Sequence, residues 1–323
     1  MERSQHHHRL ASGAPWALGL GVLTLLVSTA VLAQDNQFQL FVSAVDASGN
    51  PVLDLSPGDI SFAESGAPGK VVSVDRFSLP IKLTIVIDNN PDSARVLAQI
   101  RDGLTSAVSA LPKDVEVAVY TAAPSPRPMA RMTSNREEVV RAIERFGPDT
   151  ERARFSDALV EYGQRLESDF KDKKLTYIPV LLLVWTTAAE VTSIQLDTLE
   201  NGLRTVAIRG TRVYAAVTST ETGNRSQIEQ LDTGRVSIIS QQLVKNTRGR
   251  FQALQDFRTL AETLPQWGKE MAGIHTRQTT QFRVVLERPA AATGPLNPAN
   301  LDIRVTRPGL TPSVSGDGRF LPQ

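Results

Sequence analysis

Four polar side chains, Asp88, Asn90, Asp92 and Thr187, are the residues best placed to form a binding site. The first three follow the apolar run Ile81–Ile87, and Thr187 comes shortly after a second run of the same kind. Such runs are typical of strands buried on both faces of a parallel sheet. Ligands of open α/β sheets bind beyond the carboxyl ends of the strands, so we expect the four side chains to meet there. Their oxygens predict either a binding face or simple helix caps.

The sequence offers few groups for catalysis. It contains no cysteine, and beyond His6–His8 its one other histidine is His275. Gly-x-Ser-x-Gly, His-Glu-x-x-His and dinucleotide-binding glycine motifs are all missing. His275 follows a predicted helix end, where we expect a surface or capping position. We therefore predict a protein that is not an enzyme. The alternative from another class is an envelope hydrolase with an acid/base pair drawn from Asp, Glu and His275.

Residues 1–33 have the order of an export signal. A basic start precedes the apolar run 16–33, and Val31 and Ala33 stand at the −3 and −1 positions before Gln34. We predict cleavage there and a periplasmic or extracellular protein. A retained membrane anchor in residues 16–33 is the alternative, because a run of this length can cross a bilayer. The net charge of +1 indicates no nucleic-acid partner.

The rest of the chain has a β–α/β–β organisation. Residues 81–275 alternate between strand and helix patterns, which predicts an α/β domain with a doubly wound (Rossmann-like) sheet and helices on both faces. Residues 34–80 read as an N-terminal β module, and residues 276–323 as a C-terminal β segment. Since isolated strand pairs are marginally stable in water, we expect the two flanks to build one β-sandwich-like module.

This order of elements resembles the von Willebrand factor type A domain: an apolar strand, Asp88, a polar cluster, an amphipathic helix, an edge strand, helices and another apolar strand. The wider layout is similar to an exported bacterial family related to it, of the acidobacterial type. That likeness rests on residues 45–52 (VDASGNPV) and on Gly249-Arg250-Phe251. The resemblance covers roughly residues 38–321 as an ordered pattern. It implies a type A sheet and a role in protein interaction or adhesion.

Type A domains usually hold a divalent cation through Asp-x-Ser-x-Ser, a loop threonine and an aspartate after the fourth strand. Of these five positions the chain retains only Asp88. The others carry residues that differ from the family's ligands: Asn90, Asp92, Ala153 and, at the fourth strand, Thr186 or Thr187. Arg152 and Arg154 are expected near the same edge, where their charge would repel a cation. The motif is therefore degenerate.

We accordingly predict a metal-independent interaction or adhesion module with no cofactor. Its partner would be a protein or a cell-envelope component, and a membrane only if the signal segment is retained. The binding face would comprise Asp88, Asn90, Asp92 and Thr187. Cation-dependent adhesion is the alternative, with Mg²⁺ on Asp88, Asn90 and Asp92 if the degenerate site still binds a metal.

Overall fold

The structure, a computed structural model, describes residues 36–171, 176–188, 190–218 and 227–320. The predicted signal segment and the alternative anchor lie outside the described residues. The strands are β1 Gln37–Val45, β2 Ile60–Glu64, β3 Ala67–Pro68, β4 Lys70–Phe77, β5 Ile81–Ile87, β6 Glu116–Thr121, β7 Arg127–Thr133, β8 Ile178–Thr186, β9 Arg212–Thr218, β10 Arg250–Leu254, β11 Gln281–Glu287, β12 Leu301–Val305 and β13 Thr311–Ser315. The helices are α1 Leu97–Ser109, α2 Arg136–Arg145, α3 Phe155–Asp169, α4 Leu196–Ile208, α5 Gln227–Lys245 and α6 Leu260–Thr279.

The central sheet has six strands in the order β10-β9-β8-β5-β6-β7. Its strands are parallel except β7, which pairs antiparallel with β6 at one edge. If these six strands are numbered 1–6 along the chain, their order read from β7 is 3-2-1-4-5-6. This is a doubly wound arrangement, in which the strand order reverses direction beside the first strand. That first strand is β5, so the switch point lies where Asp88 ends it. The predicted fold class is confirmed.

Both faces of the sheet are covered because the strands are apolar on both sides. In β5, Leu83, Ile85 and Ile87 belong to the core shared with α1, α2 and α6, whereas Val86 belongs to the core shared with α3, α4 and α5. Every residue of β8 and of β9 is buried. Such burial accounts for the near-continuous apolar runs in the sequence.

The two flanks of the chain build the β module together. One sheet has the order β13-β1-β11-β4 and the other the order β12-β2-β3, so each contains strands from both flanks. Their apolar faces share one core, which includes Val42, Phe62, Val284 and Ile303. The module joins the amino edge of the central sheet, where the Leu79 N–H donates to the Gln278 carbonyl at 2.9 Å. The domain boundaries that we predict within residues 34–323 stay a prediction.

The expected surface position of His275 is wrong. The apolar stripe of α6 continues through Ile274, so His275 lies inside the last turns of the helix and is buried. Its Nδ1 accepts from the Ile81 N–H at 3.4 Å, and its Nε2 lies 3.0 Å from Asp114 Oδ2. These contacts assign the ring proton to Nε2. The histidine therefore connects α6 to the start of β5.

Candidate functional site

Asp88 is the centre of a buried polar cluster at the carboxyl edge of the sheet. Its Oδ1 accepts from the Asn90 N–H at 3.0 Å, and both oxygens accept from Asn90 Nδ2 at 2.7 Å. Its Oδ2 also accepts from the Thr186 N–H at 3.0 Å and from Thr186 Oγ1 at 2.5 Å. The side chain is fully buried, and burial raises the pKa of Asp88 although these hydrogen bonds favour the charged form. The donors thus offset only part of the cost of burying the carboxylate.

Asn90 connects this cluster to the start of a short 3-10 helix, Pro91–Arg95. Its Oδ1 accepts from the N–H groups of Asp92 and Ser93 at 2.7 and 3.1 Å, which is a helix-capping arrangement. Its Nδ2 donates to Asp88 and also to Thr186 Oγ1 at 2.7 Å. The sequence suggested Asp92 or Ser93 as the cap at this helix start, but the capping residue is Asn90, to which their N–H groups donate.

Asn89 holds two further loops to the end of β5. Its Oδ1 accepts from the N–H groups of Ala122 and Ala123 at 3.1 and 2.8 Å, beyond the end of β6. Its Nδ2 donates to the carbonyls of Ala123 and Gly147 at 3.3 and 3.4 Å. Asn89 was not among the predicted site residues. The sequence signal that could have identified Asn89 is its position between Asp88 and Asn90, directly after β5.

The four predicted site residues lie at the same edge of the sheet, but they do not share one set of contacts. Asp88 and Asn90 bond directly to Thr186, the last residue of β8. Thr187 is the next residue and is half-buried, and its N–H donates to the Thr218 carbonyl at 2.9 Å. Asp92 is half-buried at the start of the helical segment. Side chains alternate along a strand, which is why only one of the two threonines faces Asp88.

A second polar cluster lies beside the first, at the N-terminus of α3. Glu190 accepts from the Ser156 N–H and from Ser156 Oγ, both at 2.8 Å, and lies 3.6 Å from Arg235 Nε. Asp157 accepts from Thr192 Oγ1 at 2.7 Å. A carboxylate at a helix N-terminus is favoured by the helix dipole. Sequence reasoning missed this cluster, because it joins loops that are distant along the chain.

Of the two arginines expected near this edge of the sheet, Arg154 is held there by several contacts. Arg154 donates from Nε to the Pro124 carbonyl at 2.8 Å and lies 3.7 Å from Asp157. Its N–H donates to the Ala122 carbonyl at 3.1 Å, which ties the segment before α3 to the end of β6. Arg152 is exposed. We call the loops that follow β5, β6 and β8, together with residues 147–154, the rim.

The arrangement around Asp88 does not fit a bound Mg²⁺. This ion requires oxygen ligands in near-octahedral geometry. Here Asn90 turns its amide nitrogen towards Asp88 and uses its oxygen for the helix cap, while the Thr186 hydroxyl donates to the carboxylate. Within the described parts of the chain, no three histidine, aspartate or glutamate side chains are grouped so that they could hold a metal ion. We therefore derive no chemistry through a metal at the rim.

Comparison with solved structures finds similar chains at low sequence identity. A von Willebrand factor type A protein from Catenulispora acidiphila is 10% identical, with a TM-score of 0.47, over 81% of this chain and 68% of its own. BatB from Bacteroides thetaiotaomicron is 13% identical, with a TM-score of 0.43, over 59% of this chain and 98% of its own. The α/β part of the chain has a von Willebrand factor type A-like fold. That statement rests on the strand order, the antiparallel third strand and the helices on both faces.

An aerotolerance-related membrane protein from Bacteroides fragilis is 10% identical, with a TM-score of 0.41, over 58% of this chain and 97% of its own. No protein-family model and no curated protein matches the sequence. No helix in the described residues is long and apolar enough to span a bilayer. Membership of the exported acidobacterial-type family therefore stays a prediction from residues 45–52 and 249–251.

The histidine of the described chain is remote from the rim. His275 contacts Ile81 at the start of β5, whereas Asp88 follows its end. A strand of this length separates the two by roughly 20 Å, at about 3.3 Å per residue. A hydrolytic site that combined His275 with the rim carboxylates would need them within hydrogen-bonding reach. This distance excludes a hydrolytic pair made of His275 and a rim carboxylate.

Proposed function

We propose that this chain is a non-enzymatic binding module whose rim recognises a protein or a cell-envelope component without a metal ion. One observation carries the proposal. A fully hydrogen-bonded, buried polar cluster around Asp88 holds together loops that follow three adjacent strands. Loops positioned by a rigid scaffold are where binding residues are concentrated.

In this proposal the buried residues position the rim, and neighbouring residues make the contacts. Asp88 and Asn90 are too deeply buried to reach a partner directly. Asp92 and Thr187 are half-buried beside them, and Arg95 and Glu151 are exposed. A surface with both charges suits a polar protein surface or envelope polymer better than nucleic acid.

Capture experiments with rim variants test the binding role. The full chain, immobilised, is incubated with envelope extract, and Arg95→Glu and Glu151→Lys are compared with the exposed Arg304→Glu on β12 as a matched control. We expect a partner that the wild type and the control retain and both rim variants lose. Equal retention by all four proteins would place the binding surface elsewhere.

The same capture with and without chelator tests independence of metal. We expect no effect of chelator and no shift of the melting temperature in millimolar Mg²⁺ or Mn²⁺. A ligand that binds only the folded state raises its stability by RT ln(1 + [L]/Kd), so an occupied site would be visible in the melt. A shift that disappears in Asp88→Ala would instead support cation-dependent adhesion.

Export belongs to the same proposal and rests on residues 1–33 alone. N-terminal sequencing of the protein from its native host should begin at Gln34. Met1 retained in a membrane fraction would indicate that residues 16–33 are an anchor holding the same binding module at the membrane.

A further inference from the structure

A second site lies at the opposite, amino edge of the sheet. A cavity of about 190 Å³ opens between the first residues of β8 and β9, the end of α4 and the turn after α5. Three arginines line it, each from a different part of the chain: Arg212 begins β9, Arg248 follows α5, and Arg319 lies in the C-terminal segment. The described residues that line this cavity include no aspartate or glutamate.

Arg212 is the buried base of this cavity. Arg212 is only 3% exposed. Nη2 donates to the Phe320 carbonyl at 2.5 Å, whereas Nη1 has no hydrogen-bond partner among the described residues. A buried guanidinium donor without a partner is costly, because the group has lost its water. The Arg212 guanidinium on the cavity wall therefore retains an unused donor.

Arg319 adds a second buried donor from the C-terminal segment. Its Nε is likewise buried without a partner in the described part of the chain. The guanidinium lies against Gly210, where an added Cβ would be 1.5 Å from Arg319 Nη1. Gly210 also has φ of +69°, a conformation that favours glycine. Glycine at this position thus leaves the space in which Arg319 reaches the cavity.

The surroundings offset only part of the charge of the three arginines, through Asp317. Arg248 Nη1 lies 3.5 Å from Asp317 Oδ2, and both side chains are about half exposed. Glu270 is occupied elsewhere, by Tyr214 Oη at 2.7 Å and Arg250 Nε at 2.5 Å. The carboxyl ends of α4 and α5 supply only partial negative charge.

The pKa values of two arginines are lowered chiefly by burial and in part by neighbouring positive charge. Burial chiefly lowers the pKa of Arg319, and the charges of Arg248 and Arg212 add to this, against the opposing effect of Asp317. Burial likewise lowers the pKa of Arg277, with Arg212 contributing in the same direction against the opposing effects of Glu270 and Tyr214. An anion bound in the cavity would reduce the repulsion among Arg319, Arg248 and Arg212.

We propose that this cavity binds a tetrahedral oxyanion, a phosphate or sulfate group, between Arg212, Arg248 and Arg319. Guanidinium groups pair with such oxyanions through parallel N–H donors. Donors that converge from three chain segments match a tetrahedral group better than a planar carboxylate. The cavity volume admits a single phosphate or sulfate group with accompanying water. The site does not depend on the function proposed for the rim.

Titration calorimetry of the full chain with inorganic phosphate tests this proposal. We expect saturable binding of one phosphate per chain in chloride buffer of constant ionic strength. The double variant Arg248→Gln/Arg319→Gln should weaken the affinity at least tenfold, and the exposed control Arg304→Gln on β12 should leave it unchanged. Equal phosphate affinity in all three proteins, or no binding to the wild type, would overturn the proposal.

Thermal melts give an independent readout. At phosphate tenfold above its Kd, the melting temperature should rise by roughly 3 °C. Phosphate and sulfate also stabilise proteins generally by exclusion from their surface, so a rise of the same size in the double variant would count against the site. If the double variant folds poorly, the single variant Arg248→Gln replaces it in both the calorimetry and the melts, because the Arg248 side chain is exposed.

Further ligands identify the chemical class. Sulfate should compete with phosphate, and acetate should not; equal competition by acetate would overturn the tetrahedral assignment. Both free phosphate and a phosphate monoester carry the proposed group. Tighter binding of glycerol phosphate than of inorganic phosphate would indicate an ester, such as a lipid or polymer phosphate, as the source, and the reverse order would indicate the free ion.

Discussion

At the scale of single residues, the polar cluster of the rim shows how a buried carboxylate is accommodated. Asp88 receives hydrogen bonds from Asn90 and Thr186, and every one of these groups is buried. A charged group in such a position is tolerated only when it is paired with donors. Asp88 is therefore first a residue that positions the rim, and its suitability for a metal depends on donors that already occupy its oxygens.

Replacing Thr186 by valine should destabilise the fold. The substitution keeps the shape of the side chain but removes the hydroxyl that donates to Asp88 and accepts from Asn90. The loss should be about 1–3 kcal/mol, because buried polar groups remain without their partner. Urea denaturation of both proteins measures it.

Thr121 at the end of β6 provides the matched control. Its Oγ1 is buried without a hydrogen-bond partner among the described residues, so Thr121→Val should cost nothing and can stabilise the protein. If Thr186→Val proved as stable as Thr121→Val, the hydroxyl of Thr186 would not support Asp88 in solution.

At the scale of elements, close backbone contact decides how α1 and α6 pack. A Cβ built on Gly268 of α6 would lie 2.4 Å from the carbonyl oxygen of Ala107 in α1. Such a contact cannot be relieved by a side-chain rotation, because the obstructing atom belongs to the backbone. The glycine is thus required by the helix pair and not by a turn.

Gly268→Ala should therefore lower the free energy of unfolding by about 1–3 kcal/mol, since the two helices must separate. Gly273 lies in the same helix with nothing within 4 Å of its added Cβ. Gly273→Ala should raise stability by up to about 1 kcal/mol, through helix propensity alone. Denaturant titrations measure the free energy of unfolding of both variants. A change in the same direction for Gly268→Ala and Gly273→Ala would refute the packing argument.

Two buried or half-buried ion pairs hold the β module together. Arg307, beyond β12, donates to Asp59 before β2 at 3.0 and 2.7 Å, and Arg288 donates to Glu64 at 2.8 and 2.6 Å. The hydrogen bonds from Arg307, and then those from Ser56, hold the pKa of Asp59 well below its usual range.

This lowered pKa predicts acid sensitivity. Asp59 contributes stability above its unfolded-state pKa near 4, and that contribution is lost as the pH falls through the folded-state pKa. The urea midpoint of the wild type should therefore decrease as the pH is lowered from 5 to 2. The midpoint of Asp59→Asn should decrease less steeply over the same range. Arg307→Gln should flatten the same part of the curve. An unchanged acid slope in Asp59→Asn would contradict the assignment.

At the scale of the whole molecule, the chain closes on itself through the β module. Among the described residues, β1 lies between β11 and β13 in one sheet, and β4 pairs with β11 alone. The N-terminal strands of this sheet therefore depend on residues from the C-terminal end of the chain. This arrangement makes the module a product of long-range pairing and not of either flank alone.

Truncation after Thr279 should consequently expose the N-terminal flank to protease. The truncated chain lacks β11, β12 and β13, so β1 and β4 lose the strands they pair with in the sheet. Limited proteolysis followed by mass spectrometry should detect early cleavage within residues 37–77 of the truncated protein and not of the full chain. Resistance of that segment in the truncated protein would show that it folds without its partner strands.

The local pattern of the sequence was sufficient for the type and order of the main elements. The apolar run Ile81–Ile87 predicted a buried parallel strand, and the structure confirms it as β5. The break at Asp88 marked the carboxyl edge, and the alternation of residues 81–275 indicated the doubly wound sheet. These features are determined by hydrophobic periodicity, which acts over a few residues and is visible without tertiary contacts.

The contacts that define each site were decided only by the tertiary structure. Periodicity does not specify which of Thr186 and Thr187 faces Asp88. It also does not specify that Glu190 accepts hydrogen bonds from Ser156 at the start of α3, or that His275 is buried against Ile81. Nor does it bring Arg212, Arg248 and Arg319 to one cavity. Each of these contacts joins segments far apart in sequence, so it depends on how whole strands and helices pack and not on the pattern within any one of them.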